Sequence, residues 1–233
     1  TSSLVGSEMC IRDRPTTDTD PTTGTGRRAG LDPAEVIETA IALVESGGTD
    51  ALTMRKLAAE LGVTTTTIYW HVGSRDELIT AMIRRMSERQ AEMPLEGATP
   101  RERVMSAARQ VWRTHLAHPN MTSLAHQAGA TSLLEIDVEI AMVRELEAAG
   151  LTGAEARDAL RGILVCVGGF LVLGLRHPDS IPHELRSQTL WAAVTDPHVD
   201  STTVAALSEP LDIDTLFETT VQAVVDSFVP DPH

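Results

Sequence analysis

The chain has 233 residues, 42% of them apolar, 22% charged and only 3% aromatic, and it carries a formal net charge of -14. That length suits one large domain or a small domain joined to a larger one, and the composition is ordinary for a globular protein. Cys10 and Cys166 supply neither a disulfide framework nor a Cys/His metal set, and the longest apolar run, Gly162 to Leu175, falls short of the ~20 residues that span a bilayer and reads as a buried helix.

Residues 1–30 show no apolar periodicity and are rich in Thr, Asp, Pro and Gly, which predicts a disordered tail. Val5 to Arg14 resembles the leader produced when sequencing-adapter sequence is translated, so that residues 1–14 are not biological. The alternative is an ordinary flexible tail. Cys10 is set aside on either reading, and no long apolar core marks a secretion signal.

Order is expected from Asp32-Pro33-Ala34-Glu35, where an Asp cap precedes a proline at the first helical position. Val36, Ile37, Ala40, Ile41, Leu43 and Val44 then recur at helical spacing up to Gly47-Gly48. Thr53 caps a second helix over Met54 to Leu61, Gly62 stops it, and a third helix follows Thr64 to about His71. Ser74 caps a fourth, carrying Leu78, Ile79, Met82, Ile83 and Met86. Pro94 and Gly97 to Pro100 mark a boundary. Further helices are predicted near 101–117, 132–149, 153–176 and 212–228, with short ones near 183–194 and 201–208 in an otherwise loop-like stretch. No period-two alternation is long enough for a sheet. The expected fold is all-α, divided into a tail (1–30), a helix-turn-helix domain with its linker helix (31–93) and a larger helical domain (94–233).

The second and third helices carry the functional signal. They meet at Gly62, and Ala58 four residues earlier allows close approach, over a seam of Leu57, Leu61, Val63, Ile68 and Val72. The third helix is a poor helix former by propensity, with four threonines, Thr64, Thr65, Thr66 and Thr67, at its start. Packing does not require hydroxyls there followed by Tyr69, Trp70 and His71. Base edges, thymine methyls and phosphates can use all of them. The only tyrosine and one of three tryptophans fall on this short element. The chain's acidity weighs against nucleic acid without excluding it, because the charge is uneven. Residues 94–233 carry -10 and residues 1–93 carry -4, whereas Thr53 to Arg75 sets Arg55, Lys56 and Arg75 against Glu60 alone.

Residues 31–86 resemble the DNA-binding domain of the TetR family of bacterial repressors. The resemblance rests on Thr53-x-Arg55-Lys56-Leu57-Ala58-x-x-Leu61-Gly62-Val63, followed by Ile68-Tyr69-Trp70-His71-Val72. Tyr69-Trp70-His71 and the later Pro94-Leu95-Glu96-Gly97 place it near the tetracycline repressors. The resemblance implies a cytoplasmic, ligand-responsive repressor that binds a palindromic double-stranded DNA operator as a homodimer, is released by a small-molecule effector, and engages no membrane. Its DNA contacts carry over to Thr53, Arg55, Thr67, Tyr69 and His71, with Arg75 standing where the family often has a lysine. Thr64 and Trp70 adjoin them, and Thr65 and Thr66 differ from the tetracycline repressors, which implies a different operator. Arg27 and Arg28 are read either as an N-terminal arm or as a solvated tail dipeptide.

The apolar faces of 153–176 and 212–228 are too extensive for a monomer to cover easily, and in the family the matching helices form the dimer's four-helix bundle; the alternative is that they are simply the monomer core. Trp112, His115, His126, Gln127 and Glu135 fall on or near helices that line the effector pocket in relatives, although such polar residues are more often surface or satisfied core groups. Tetracycline and magnesium are not carried over, because no matching residue set aligns. No cofactor or metal is expected, and no nucleophile–base pair or phosphate loop suggests an enzyme. The alternative is a binding or interaction module of the same fold that does not engage DNA.

Overall fold

The computed structural model describes residues 31–174 and 183–230, and its regular elements there are helices. They are α1 (Pro33–Gly47), α2 (Met54–Glu60), α3 (Thr65–Val72), α4 (Arg75–Ala91), α5 (Pro100–Ala117), α6 (Pro119–Gln127), α7 (Thr131–Ala148), α8 (Ala154–Gly174), α9 (His183–Ala192), α10 (Ser201–Leu207) and α11 (Ile213–Phe228), with a single 3-10 turn at Thr49–Ala51. Among the described residues no strand occurs, and no helix is long and apolar enough to cross a membrane.

Side chains set the helix starts, because the first backbone N–H groups of a helix have no internal partner. Asp32 accepts from Ala34 N–H at 2.9 Å, Thr53 from Lys56 N–H at 3.1 Å and Thr64 from Thr67 N–H at 3.2 Å. Ser74 and Glu77 form a reciprocal capping box at the start of α4. Between α2 and α3 the chain reverses at Gly62, whose φ of +66° suits a residue without a side chain. The turn is closed by Gly62 N–H to Ala59 O (3.2 Å) and Val63 N–H to Ala58 O (2.9 Å).

Apolar side chains gather into two clusters. One joins α1 to α4 and includes Val36, Ala40, Leu57, Ile68, Leu78 and Met82. The other joins α5, α7, α8 and α11 around Trp112, Met142, Ile163, Phe170 and Phe217. Two expectations are corrected. Residues 119–127, assigned to no helix from sequence, form α6, whose Met121, Leu124 and Ala125 are buried in the N-terminal cluster. A helix of nine residues is marginal alone, and this packing sustains it. The apolar run in α8 is not buried all round: Val165 is 75% and Val172 is 81% exposed, while Ile163, Val167 and Phe170 face inward. The expected tail, including Cys10, Arg27 and Arg28, lies outside the described residues.

Candidate nucleic-acid interface

Helix α3 is held from one side only. Ile68 is fully buried and Val72, four residues on, packs against the same cluster. Thr66, Tyr69 and Trp70 are spaced at i, i+3 and i+4, so they share the opposite face. Thr66 is exposed, Tyr69 is 50% exposed and Trp70 is 83% exposed. At that exposure Trp70 is not a packing residue of α3. His71 is half-buried with its ring edge-on to Trp70, centroids 5.0 Å apart.

The four threonines divide into two pairs. Thr64 and Thr67 are tied to each other, their hydroxyl oxygens 2.9 Å apart, while Thr64 also caps the helix. These two hydroxyls stiffen the first turn and retain lone pairs for a further partner. Thr65 is half-buried and Thr66 is exposed. The capping explains why a helix of weak propensity forms here, with its open face left to hydroxyls and rings.

Cations flank this face. Arg55 and Lys56 on the first turn of α2 and Arg75 at the start of α4 are exposed, and none makes an ion pair among the described residues. Arginines elsewhere behave differently. Arg103 meets Glu145 at 2.8 Å and Arg109 meets Glu218 at 2.8 Å. Arg85 and Arg89 both reach Glu38. An unpaired cation beside a row of hydrogen-bonding tips is the arrangement that an acidic, hydrogen-bonding polymer requires. Thr53 is also exposed, with its hydroxyl engaged in the α2 cap.

The five residues expected to line an effector pocket are not brought together. Trp112 is packed into the second cluster, stacked on Phe217 at 5.0 Å and edge-on to Phe170 at 6.1 Å, and its indole N–H donates to Asp214 at 3.2 Å. His115 and Glu135 do meet, between α5 and α7. His115 is fully buried, its Nδ1 is 2.9 Å from Val111 O, and its Nε2 is 3.2 Å from Glu135 Oε1 without hydrogen-bond alignment. His126 and Gln127 are exposed at the end of α6, with Gln127 donating to Ser123 at 3.3 Å. Gln90 was not anticipated. It is 2% exposed on α4 and neither amide atom has a partner among the described residues. Its place four residues after Met86 on the inward stripe is the only sequence signal for it.

Residues 36–82 match the profile of bacterial regulatory proteins, tetR family. An HTH-type transcriptional repressor of Mycobacterium tuberculosis is 29% identical over 153 residues, which cover 63% of this chain and 59% of the repressor. The chain thus spans about three-fifths of the length of the curated relatives it matches. ActR of Streptomyces coelicolor in complex with actinorhodin superposes with a TM-score of 0.64 at 22% identity, covering 86% of this chain and 97% of that one, which is a likeness of fold. BioQ, solved with its natural double-stranded DNA operator, superposes with a TM-score of 0.51 at 28% identity over 61% of this chain and 86% of its own. With the helix-turn-helix, its capped turn and the motif between Thr53 and Val72 all in place, residues 36–82 form a DNA-binding domain of the tetR family of bacterial regulatory proteins.

Proposed function

We propose that this chain is a cytoplasmic transcriptional repressor that binds a palindromic operator as a homodimer and lets go when a small molecule enters its second domain. The observation that carries this reading is the outward face of α3. Thr66, Tyr69 and Trp70 project from a helix anchored by Ile68, with the unpaired Arg55, Lys56 and Arg75 around it. Such a helix enters the major groove while the cations settle on phosphates. Residues 31–93 read the DNA, and residues 94–233 dimerise and accept the effector.

The exposed Val165 and Val172 of α8, with Leu216 of α11, support self-association through these two helices. Two-fold symmetry then presents two recognition helices about 34–36 Å apart, one helical turn of DNA. The complexes of ActR with actinorhodin and of BioQ with its operator support an effector and an operator for this chain. Effector binding that repositions α4 by a coupling of ~1–3 kcal/mol lowers operator affinity ~5- to 150-fold. The test is to sequence the genomic DNA fragments retained by the purified protein. A shared inverted repeat is the expected result, and fragments with no common sequence would reject the reading.

A further inference from the structure

Helix α6 follows the boundary at Pro94 in sequence, yet it is built into the reading domain. Met121, Leu124 and Ala125 lie in one apolar cluster with Val36, Ala40, Ile41 and Val44 of α1. Asn120 donates its amide N–H to the backbone carbonyl of Glu45 at 3.0 Å, 75 residues away in the chain. That carbonyl is among the last of α1, where no helical N–H remains to meet it. The Glu45 carboxylate lies 3.5 Å from His118 Nδ1, and both facing atoms are buried.

His118 is also the single residue between α5 and α6. Its N–H donates to Thr114 O at 2.9 Å, and its carbonyl accepts from Thr122 N–H at 3.0 Å and from the Thr122 hydroxyl at 3.0 Å. The corner therefore has no slack, and a displacement of α5 passes to α6 and on to the end of α1. The other attachment of the reading domain is α4 itself, docked on α7 by the Ser87 hydroxyl donating to Asp137 at 2.8 Å. A body fixed only through one helix can turn about that helix. A second attachment on the α1 side removes this freedom.

We infer that Asn120 and His118 are positioning residues that set the angle of the recognition helix, and hence the half-site spacing that the dimer accepts. This rests on the proposed dimeric DNA reading. The contacts deepen it by naming what fixes the distance between the two readers, at residues that touch no DNA.

The test uses the full chain on the recovered operator and on two derivatives with one base pair inserted or removed at the dyad. Each change rotates one half-site by about a tenth of a turn. The wild type prefers the original spacing. Asn120→Ala, and Asn120→Asp, which keeps the size but cannot donate, lower that preference by about 5-fold or more. Ile37→Val serves as a comparison, trimming a half-buried side chain of α1 that is not among those named against α6, and it leaves the spacing preference unchanged. The inference is overturned if both Asn120 variants keep the full preference, or if Ile37→Val loses as much as they do. A wild-type protein that retains no operator fails earlier, at the DNA reading itself.

Discussion

Helices α3 and α8 both present side chains to solvent, and the contrast between them is chemical. Helix α3 buries one residue, Ile68, and exposes hydroxyls, a phenol and an indole beside cations that are unpaired among the described residues. Helix α8 buries Ala159, Leu160, Ile163, Val167, Phe170 and Leu171 and exposes Val165 and Val172, which are purely aliphatic. Aliphatic surface gains ~25 cal/mol per Å² when another apolar surface covers it, whereas a polar-tipped face gains through directed hydrogen bonds and counterion release. The kind of exposure, rather than its amount, tells which partner each helix is made for.

The most severe way to break the contrast is to place charge on the aliphatic face. Val165→Glu combined with Val172→Glu buries uncompensated carboxylates in the proposed dimer and costs at least ~3 kcal/mol. Sedimentation equilibrium should show monomer, and operator binding should be lost with the dimer. A stable dimer in this variant would place self-association elsewhere. Next in size, Tyr69→Ala with His71→Ala removes two of the polar tips on α3. Operator affinity should fall by ~2–4 kcal/mol, about 30- to 1000-fold, with helicity and dimerisation intact by circular dichroism and sedimentation.

The salt dependence sharpens the same comparison. With Arg55, Lys56, Arg75 and one arm arginine from each protomer on phosphates, log K against log[salt] should have a slope of about -7. Arg75→Gln should make it shallower by ~2, since both protomers lose a contact, and an unchanged slope would remove Arg75 from the interface. The smallest expected effect is on stability. Glu77 accepts the Ser74 backbone N–H, which holds its carboxyl below the usual glutamate range. A folded-state pKa below the unfolded value of ~4.3 stabilises the fold above that pH, and the benefit is lost as the pH falls through the lowered value. Glu77→Gln should therefore lower Tm slightly at neutral pH and leave the acid end, where Glu77 is already protonated, little changed, so that Tm rises less with pH than in the wild type.

Much of the reading domain was legible because its signals are local. Asp32, Thr53 and Ser74 were expected as caps and Gly62 as the stop, and each acts within four residues of its own position. Helix α6 was not legible in the same way. Pro119 at its first position was visible, but nine residues with three buried apolar ones make too short a stripe to distinguish from loop, and the helix persists because Met121, Leu124 and Ala125 find α1 and α4. Burial was not legible for a related reason. Trp112, His115 and His126 all occur on helices, and only their packing makes the first two buried and the third exposed.

The sequence by itself determined where most helices begin and end, that the chain is all-α, and that one short helix carries a concentration of hydroxyls and rings. Capping and helical periodicity act between residues three or four apart, so a linear reading captures them. Only the tertiary structure decided that α6 joins the first core, that Asn120 reaches Glu45, and that Arg55, Lys56 and Arg75 meet no carboxylate among the described residues while Arg103 and Arg109 do. Those outcomes depend on partners 42 to 109 residues away, and no local pattern encodes which of many distant groups a side chain will meet.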